Sequence, residues 1–367
     1  MSLNKRIPAA SGSFAGPYAA IFEFTGGGTS DVTVSGMSFE PDFIKFRKKS
    51  ESSYEYYTHK LEANTWWHTS QGGGSSGTNV SNGSNQVIEW NSDGFTIKGN
   101  SSTSGSINQS GKDYIGLALY AGNESVTNND GNVTSTVMAS ADAGFSIVQF
   151  TSSGSGTTFG HGLGVAPEIV VSTYGDHSST PITNYYDDVL HDEQRTGQGF
   201  LNANNYGTSG VVSYPDSDTI AGGNYDTGTF NGRNYTFYCF AEKPHQQMGM
   251  WLGNFSTSTR TVYSMTDSAD PKYVRVMFIN FNESPDIYQP LYDSVSGGLY
   301  RFDDVLRFSS SSAEYNLNFG AFGEYIRLDW TSDRLLTNSD WYPINGRSDL
   351  NYHYYGIFWG GDNCEIL

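Results

Sequence analysis

The sequence predicts an all-β protein: three tandem antiparallel β-sandwich units, jelly-roll-like, behind a short N-terminal arm. Three observations carry that prediction. Aromatics reach 15 % of the 367 residues while hydrophobics as a whole stop at 37 %, so Tyr and Phe, both strand formers, must supply much of the core. Glycine is abundant at 43, and with Ser, Asn and Thr it fills the stretches between short apolar runs, which is how hairpins and sheet corners are punctuated. Finally, three landmarks recur in fixed order: an aromatic strand, a proline followed by a strand-forming run, and a Tyr-led strand.

The recurrence sets the organisation. The aromatic strands are "YAAIFEFT" (18–25), "GFSIVQFT" (144–151) and "GMWLGNFS" (249–256). The prolines are Pro41 in "SFEPDFIKFR", Pro167 in "HGLGVAPEIVV" and Pro271 in "SADPKYVRVM". The Tyr-led strands are "KDYIGLALY" (112–120), "RNYTFYCFA" (233–241) and "LNYHYYGIF" (350–358). Proline lacks a donor and fixes φ, so it suits the entry to a strand, and Asp42 or Glu168 just after it can hydrogen-bond locally at that corner.

In chain order, residues 1–17 form a docking arm of small residues in which Arg6, Ile7, Pro8, Phe14 and Pro17 are the candidate contacts. Residues 18–122 are the first unit, with strands expected at 18–24, 42–47, 54–59, 86–91, 94–98 and 112–120. "QVIEWNSDGFTI" reads as a hairpin turning at Ser92-Asp93-Gly94. Alternation in "PDFIKFR" puts Phe43 and Lys45 on one face and Ile44 and Phe46 on the other, and the Gly/Ser run 70–85 reads as a surface loop. Residues 123–143 are a linker whose "NVTSTVMA" resembles an extra strand. Units two (144–243) and three (244–360, divergent) follow, and 361–367 is a tail. One short stretch, "YYDDVLHDEQR" (185–195), has a helical look.

Charge and motifs exclude several classes of function. The formal net charge is −18, and the nearest basic cluster, "KFRKKS" (45–50), is a strand end, so neither nucleic acid nor an anionic membrane is an expected partner. Cys239 and Cys364 form no CxxC, and no run approaches a membrane span or the apolar core of a signal peptide. The literal G-x-S-x-G at 73–77 lies in a Gly/Ser spacer rather than a strand-to-helix turn. His161 in "GHGLG" has no placed partner and reads as part of a tight turn. The acid pairs Asp187-Asp188, Asp192-Glu193 and Asp303-Asp304 do not converge by themselves as a glycosidase requires. No catalytic residue, metal or cofactor is expected.

Two aromatic segments are the candidate contacts for sugar. "LEANTWWHTS" brings Trp66, Trp67 and His68 together, and "DWTSDRLLTNSDWYP" brings Trp330, Trp341 and Tyr342 near two aspartates. Ring faces stack on the apolar faces of sugars while neighbouring polar groups bond the hydroxyls. The other reading of these aromatics is that they plug sandwich ends or a subunit interface.

The order F-x-P-D-F-I-K, D-G-F-T-I, Y-I-G-L-A-L, G-F-S-I-V-Q-F-T, G-H-G-L-G-V-A-P-E-I-V-V, N-Y-T-F-Y-C-F-A-E, W-L-G-N, over about residues 18–255, resembles a repeated β-domain of phage tail-fibre-like and other virion surface proteins of marine phages and cyanophages. The third unit keeps its proline and little else of this pattern. The resemblance implies a non-enzymatic virion structural protein, a tail fibre or tail-tip component that attaches to a host surface glycan. Such a protein would be made in the host cytoplasm, assemble with other virion proteins and form a homo-oligomer, a trimer for a fibre. A capsid or tail decoration protein and a polysaccharide depolymerase are the alternatives.

Overall fold

The computed structural model describes residues 15–48, 55–62, 65–68, 78–81, 88–100, 107–154, 156–174, 182–186, 196–200, 215–221, 232–243, 245–252, 260–264, 275–280, 304–305, 315–316, 326–329, 334–337, 353–359 and 363–367. The protein is all-β, and a single 3-10 turn, Lys60–Glu62, is the only helical element among the described residues. The first stretch holds β1 (Ala19–Thr25), β2 (Val32–Ser35), β3 (Phe43–Lys48), β4 (Glu55–His59), β5 (Thr65–His68), β6 (Thr78–Ser81), β7 (Ile88–Asn91), β8 (Gly94–Ile97) and β9 (Asp113–Leu119). The second holds β10 (Val126–Asn128), β11 (Ser135–Ser140), β12 (Phe145–Thr151), β13 (Thr158–Gly160), β14 (Ile169–Tyr174), β15 (Ile182–Tyr186), β16 (Thr196–Phe200), β17 (Thr219–Ala221) and β18 (Asn234–Phe240). The third holds β19 (Gln246–Leu252), β20 (Arg260–Ser264), β21 (Arg275–Asn280), β22 (Asp304–Val305), β23 (Tyr315–Asn316), β24 (Ile326–Asp329), β25 (Arg334–Thr337), β26 (His353–Trp359) and β27 (Cys364–Ile366).

The three recurring landmarks form the same antiparallel ribbon each time, with the Tyr-led strand in the middle: β1-β9-β3, β12-β18-β14 and β19-β26-β21. The registers of the first two also agree. Ala19 and Phe43 both pair with Leu119, Phe145 and Ile169 both pair with Phe240, and Gln246 and Arg275 both pair with Trp359. Phe43 and Ile169 stand two residues beyond their prolines, whereas Arg275 stands four beyond Pro271. Leu119 and Phe240 stand five beyond Tyr114 and Tyr235, whereas Trp359 stands seven beyond Tyr352, so the third ribbon's register departs from the other two by an even number of residues, which keeps each strand's facing intact.

The first ribbon grows into a seven-stranded sheet ordered β27-β1-β9-β3-β4-β5-β6, and the second into one ordered β10-β11-β12-β18-β14-β15-β16. Three sequence expectations change here. Residues 364–366, in the stretch expected to be a tail, pair in parallel with Ala19–Ile21. Thr78–Ser81, inside the expected loop 70–85, is strand β6, paired to β5. Tyr185 and Tyr186, which open the helical-looking stretch, end β15, where aromatic strand propensity and pairing on both sides prevail; 187–195 lie outside the described residues. The hairpin at Ser92-Asp93 closes with Asn91 opposite Gly94.

Packing joins these sheets in layers. The sheet β2-β8-β7 covers one face of the first large sheet, around Phe22, Ile44, Phe46, Phe95 and Tyr114. The pair β13-β17 covers one face of the second, around Val148, Phe150, Phe159, Phe237 and Ile220. The two remaining faces pack on each other, so that Ile21, Phe43, Leu117 and Leu119 share a core with Phe145, Ile147, Tyr238 and Phe240. Phe43 is the hinge of this contact, with ring centroids 5.7 Å from Phe145 and 5.1 Å from Tyr238. Units one and two are thus not independent sandwiches. Continuous burial in "DYIGLAL" and "NYTFYCF" reflects it, since strands covered on both faces lose the apolar/polar alternation. Gly116, in the middle of β9, is needed for this packing: a Cβ there would lie 2.3 Å from the Phe22 ring and 2.6 Å from the Lys45 carbonyl.

Candidate functional site

The proline corners carry the densest polar chemistry among the described residues. At the first, the Asp42 N–H donates to the Leu119 carbonyl at 2.9 Å, anchoring the start of β3 on the end of β9. The Asp42 carboxylate is fully buried, and its Oδ2 accepts the N–H groups of Ala121 (2.6 Å) and Asn123 (3.1 Å). Its Oδ1 takes the Lys60 ammonium at 2.7 Å, so neither oxygen is left without a partner. Lys60 Nζ also reaches Glu40 Oε1 at 2.8 Å and donates to Asn123 Oδ1 at 2.8 Å, while lying 6.0 Å from the Trp90 ring centre. Asn123 adopts a left-handed backbone, φ 63°, which asparagine tolerates better than most residues. Burial pushes the Asp42 carboxyl above its ordinary value, against the pull of Lys60 and the two backbone donors. Burial and the Asp42 charge likewise raise the neighbouring Tyr120 phenol.

The second corner repeats the cap with Glu168 in place of Asp42. The Glu168 N–H donates to the Phe240 carbonyl at 2.9 Å, and Glu168 Oε2 accepts the Glu242 N–H at 2.9 Å. Close by, His161 is fully buried, with Nδ1 accepting the Leu163 N–H and Nε2 donating to the Asp216 carbonyl at 3.1 Å. Burial holds this imidazole below its ordinary pKa, neutral and structural.

A second polar group lies between the two large sheets. Gln149 Nε2 donates to Glu62 Oε1 at 2.6 Å, and the His59 and Tyr57 rings stand edge-on to Tyr238 at 5.7 and 6.2 Å. Burial raises both the Glu62 carboxyl and the Tyr238 phenol. Beside it, His245 bonds the Ala143 carbonyl and faces the Tyr18 ring at 5.0 Å, and burial lowers its pKa to about 4. The Cys239 thiol is buried in the outer core and pushed up to about 12 by that burial, so it packs as a small hydrophobe.

Of the sugar candidates, one group lies on a strand. Trp66, Trp67 and His68 belong to β5, with Trp66 opposite Val80, Trp67 opposite Tyr57 and Asn79, and His68 opposite Tyr56 and Thr78. Consecutive strand positions belong to opposite faces, so 66 and 67 do not share one. Trp330, Trp341 and Tyr342 lie outside the described residues, as do Arg6, Ile7, Pro8 and Phe14 of the arm. Pro17 is half-buried, and the neighbouring Gly16 stands against Asn363. Of the acid pairs only Asp304 is described, on β22 opposite Asn316. No cluster of three metal-ligating side chains occurs among the described residues, and no described helix is long and apolar enough to cross a membrane.

Residues 15–318 match a domain family of unknown function, DUF7483. The chain belongs to that family. The DUF7483 match spans both large sheets except β27 and runs into the third ribbon. No curated protein matches the chain. A solved structure from Sulfolobus turreted icosahedral virus is 9 % identical, covers 90 % of this chain and 82 % of its own, and superposes with a TM-score of 0.12, too low to bear on fold or function.

Proposed function

We propose that this DUF7483 protein is a non-enzymatic virion structural component, a tail fibre or tail-tip protein that attaches to a host surface glycan and assembles with other virion proteins as a homo-oligomer. The resemblance of residues 18–255 to phage tail-fibre-like proteins motivates the reading. The observation that carries it is the use made of the buried ionisable groups: Asp42 and His161 are occupied by backbone amides and carbonyls that close sheet corners. Side chains so engaged hold surfaces in place rather than wait for substrate. The three ribbons of one strand order, the first two in equal register, support descent from one β unit, used three times.

Two measurements test this. Density for the protein in a reconstruction of the purified particle is expected at the tail, and its absence from the particle would sink the proposal. Soluble protein is expected to compete with particles for host cells, and Trp66→Ala/Trp67→Ala to compete less well. Undiminished competition by a folded double variant would remove β5 from the attachment surface.

A further inference from the structure

The first proline corner holds two residues that the corner itself does not need. Phe43 pairs with both Leu119 and His59, and Ile169 pairs with both Phe240 and Tyr185. By that correspondence Lys60 answers to Tyr186 and Asn123 to Pro244. Neither Tyr186 nor Pro244 carries an amine or a carboxamide on its side chain, and Glu168 caps this second corner on the Glu242 N–H. The first adds both and brings them into contact, Lys60 Nζ to Asn123 Oδ1 at 2.8 Å. A carboxylate with no solvent exposure touches the pair on both sides, 2.7 Å from the amine and 3.1 Å from the Asn123 N–H. Lys60 itself is only 13 % exposed, under Trp90, while Asn123 opens to solvent.

We propose that Lys60 and Asn123 become joined by an intramolecular isopeptide bond, with Asp42 as the proton carrier. The Asp42 carboxylate takes one proton from the Lys60 ammonium, and the freed Nζ lone pair attacks Asn123 Cγ. A C–N bond forms and the carbonyl becomes tetrahedral. As the carbonyl re-forms, the bond from Cγ to Nδ2 breaks. The second Nζ proton and the one on Asp42 both pass to the departing nitrogen, which leaves as ammonium. Asp42 returns to its carboxylate and no oxidant is consumed. Burial suits Asp42 to the task, because its raised pKa lets it hold a proton between the two steps. The contact with Asn123 Oδ1 holds the amine beside the carbon it attacks, where proximity replaces activation. The bond would tie the end of β4 to the segment leading into β10, and so fasten the first large sheet to the second.

Intact-mass spectrometry of the purified full chain tests this independently of the virion reading. The expected mass lies one ammonia below the sequence value and returns to it in Lys60→Arg and in Asn123→Gly, a change compatible with the left-handed backbone there. Digestion is expected to release a branched peptide carrying both residues. Full sequence mass in a natively folded chain would show a salt bridge only and overturn the proposal. An ammonia loss that persists in Lys60→Arg would be a succinimide at Asn123 and would overturn it too.

Discussion

Truncating Phe43 to alanine tests whether the two large sheets share one core. Its side chain is 5 % exposed and lies between Phe145 and Tyr238, residues of the other sheet, at 5.7 and 5.1 Å. Removing a buried Phe costs about 3–5 kcal/mol, cavity included. Each edge-on aromatic pair accounts for about 0.5–1.5 kcal/mol of interaction beyond burial. A loss of about 4 kcal/mol is then expected, a large part of the roughly 5–15 kcal/mol that holds a domain. The assay is amide hydrogen exchange read separately on β9 and β18, together with a urea melt. Both strands are expected to lose protection together, because the cavity opens between them. If β9 loosened while β18 kept its wild-type protection, each sheet would be stable by itself and the shared-core argument would be wrong.

Three further outcomes follow from buried polar groups. Tyr238→Phe is expected to be neutral or to stabilise by up to about 1–3 kcal/mol, since the hydroxyl is buried with no hydrogen-bond partner among the described residues; a clear loss in a urea melt would reveal a partner. The folded pKa of Glu62 is raised by burial, so its protonated form favours the fold below about pH 4.5, and that contribution is lost as pH rises through the folded value. Glu62→Gln should therefore be more stable than wild type at pH 7 and equal to it in acid, and equal melting curves at pH 7 would refute this. His245 runs the other way: its folded pKa of about 4 lies below the ordinary 6.5, so stability present above pH 6.5 is lost as pH falls towards 4. That loss amounts to about 3 kcal/mol, and a His245→Gln variant with the same acid slope would contradict it.

The sequence made the ribbons legible but not how they stack. The order of aromatic strand, proline strand and Tyr-led strand was readable because it reflects local strand propensity and a turn-entry proline. The central place of the Tyr-led strand is a pairing choice between distant segments, which no local pattern encodes. The sharing of Phe43 and Tyr238 across sheets was hidden for the same reason, although the unbroken apolar runs of β9 and β18 were its trace. Trp66 and Trp67 looked like a loop because polar spacers surround them, yet pairing with β4 and β6 draws them into the sheet. Asp42 was foreseen as a local bonding group beside Pro41, whereas its partners Lys60 and Asn123 come from elements that meet only after β3, β4 and β9 have paired.

The parallel strand Cys364–Ile366 gives the molecule a temporal problem. Ser38 N–H and Oγ bond the Glu365 carboxylate at 2.9 and 2.5 Å across 327 residues of chain. At a ribosomal pace of about 5–20 residues per second, that interval lasts roughly 15–65 s. Throughout it the outer side of β1 stays bare on the nascent polypeptide, an open invitation to stray strands in a crowded cell. A chaperone or rapid completion of translation would matter most for this seam.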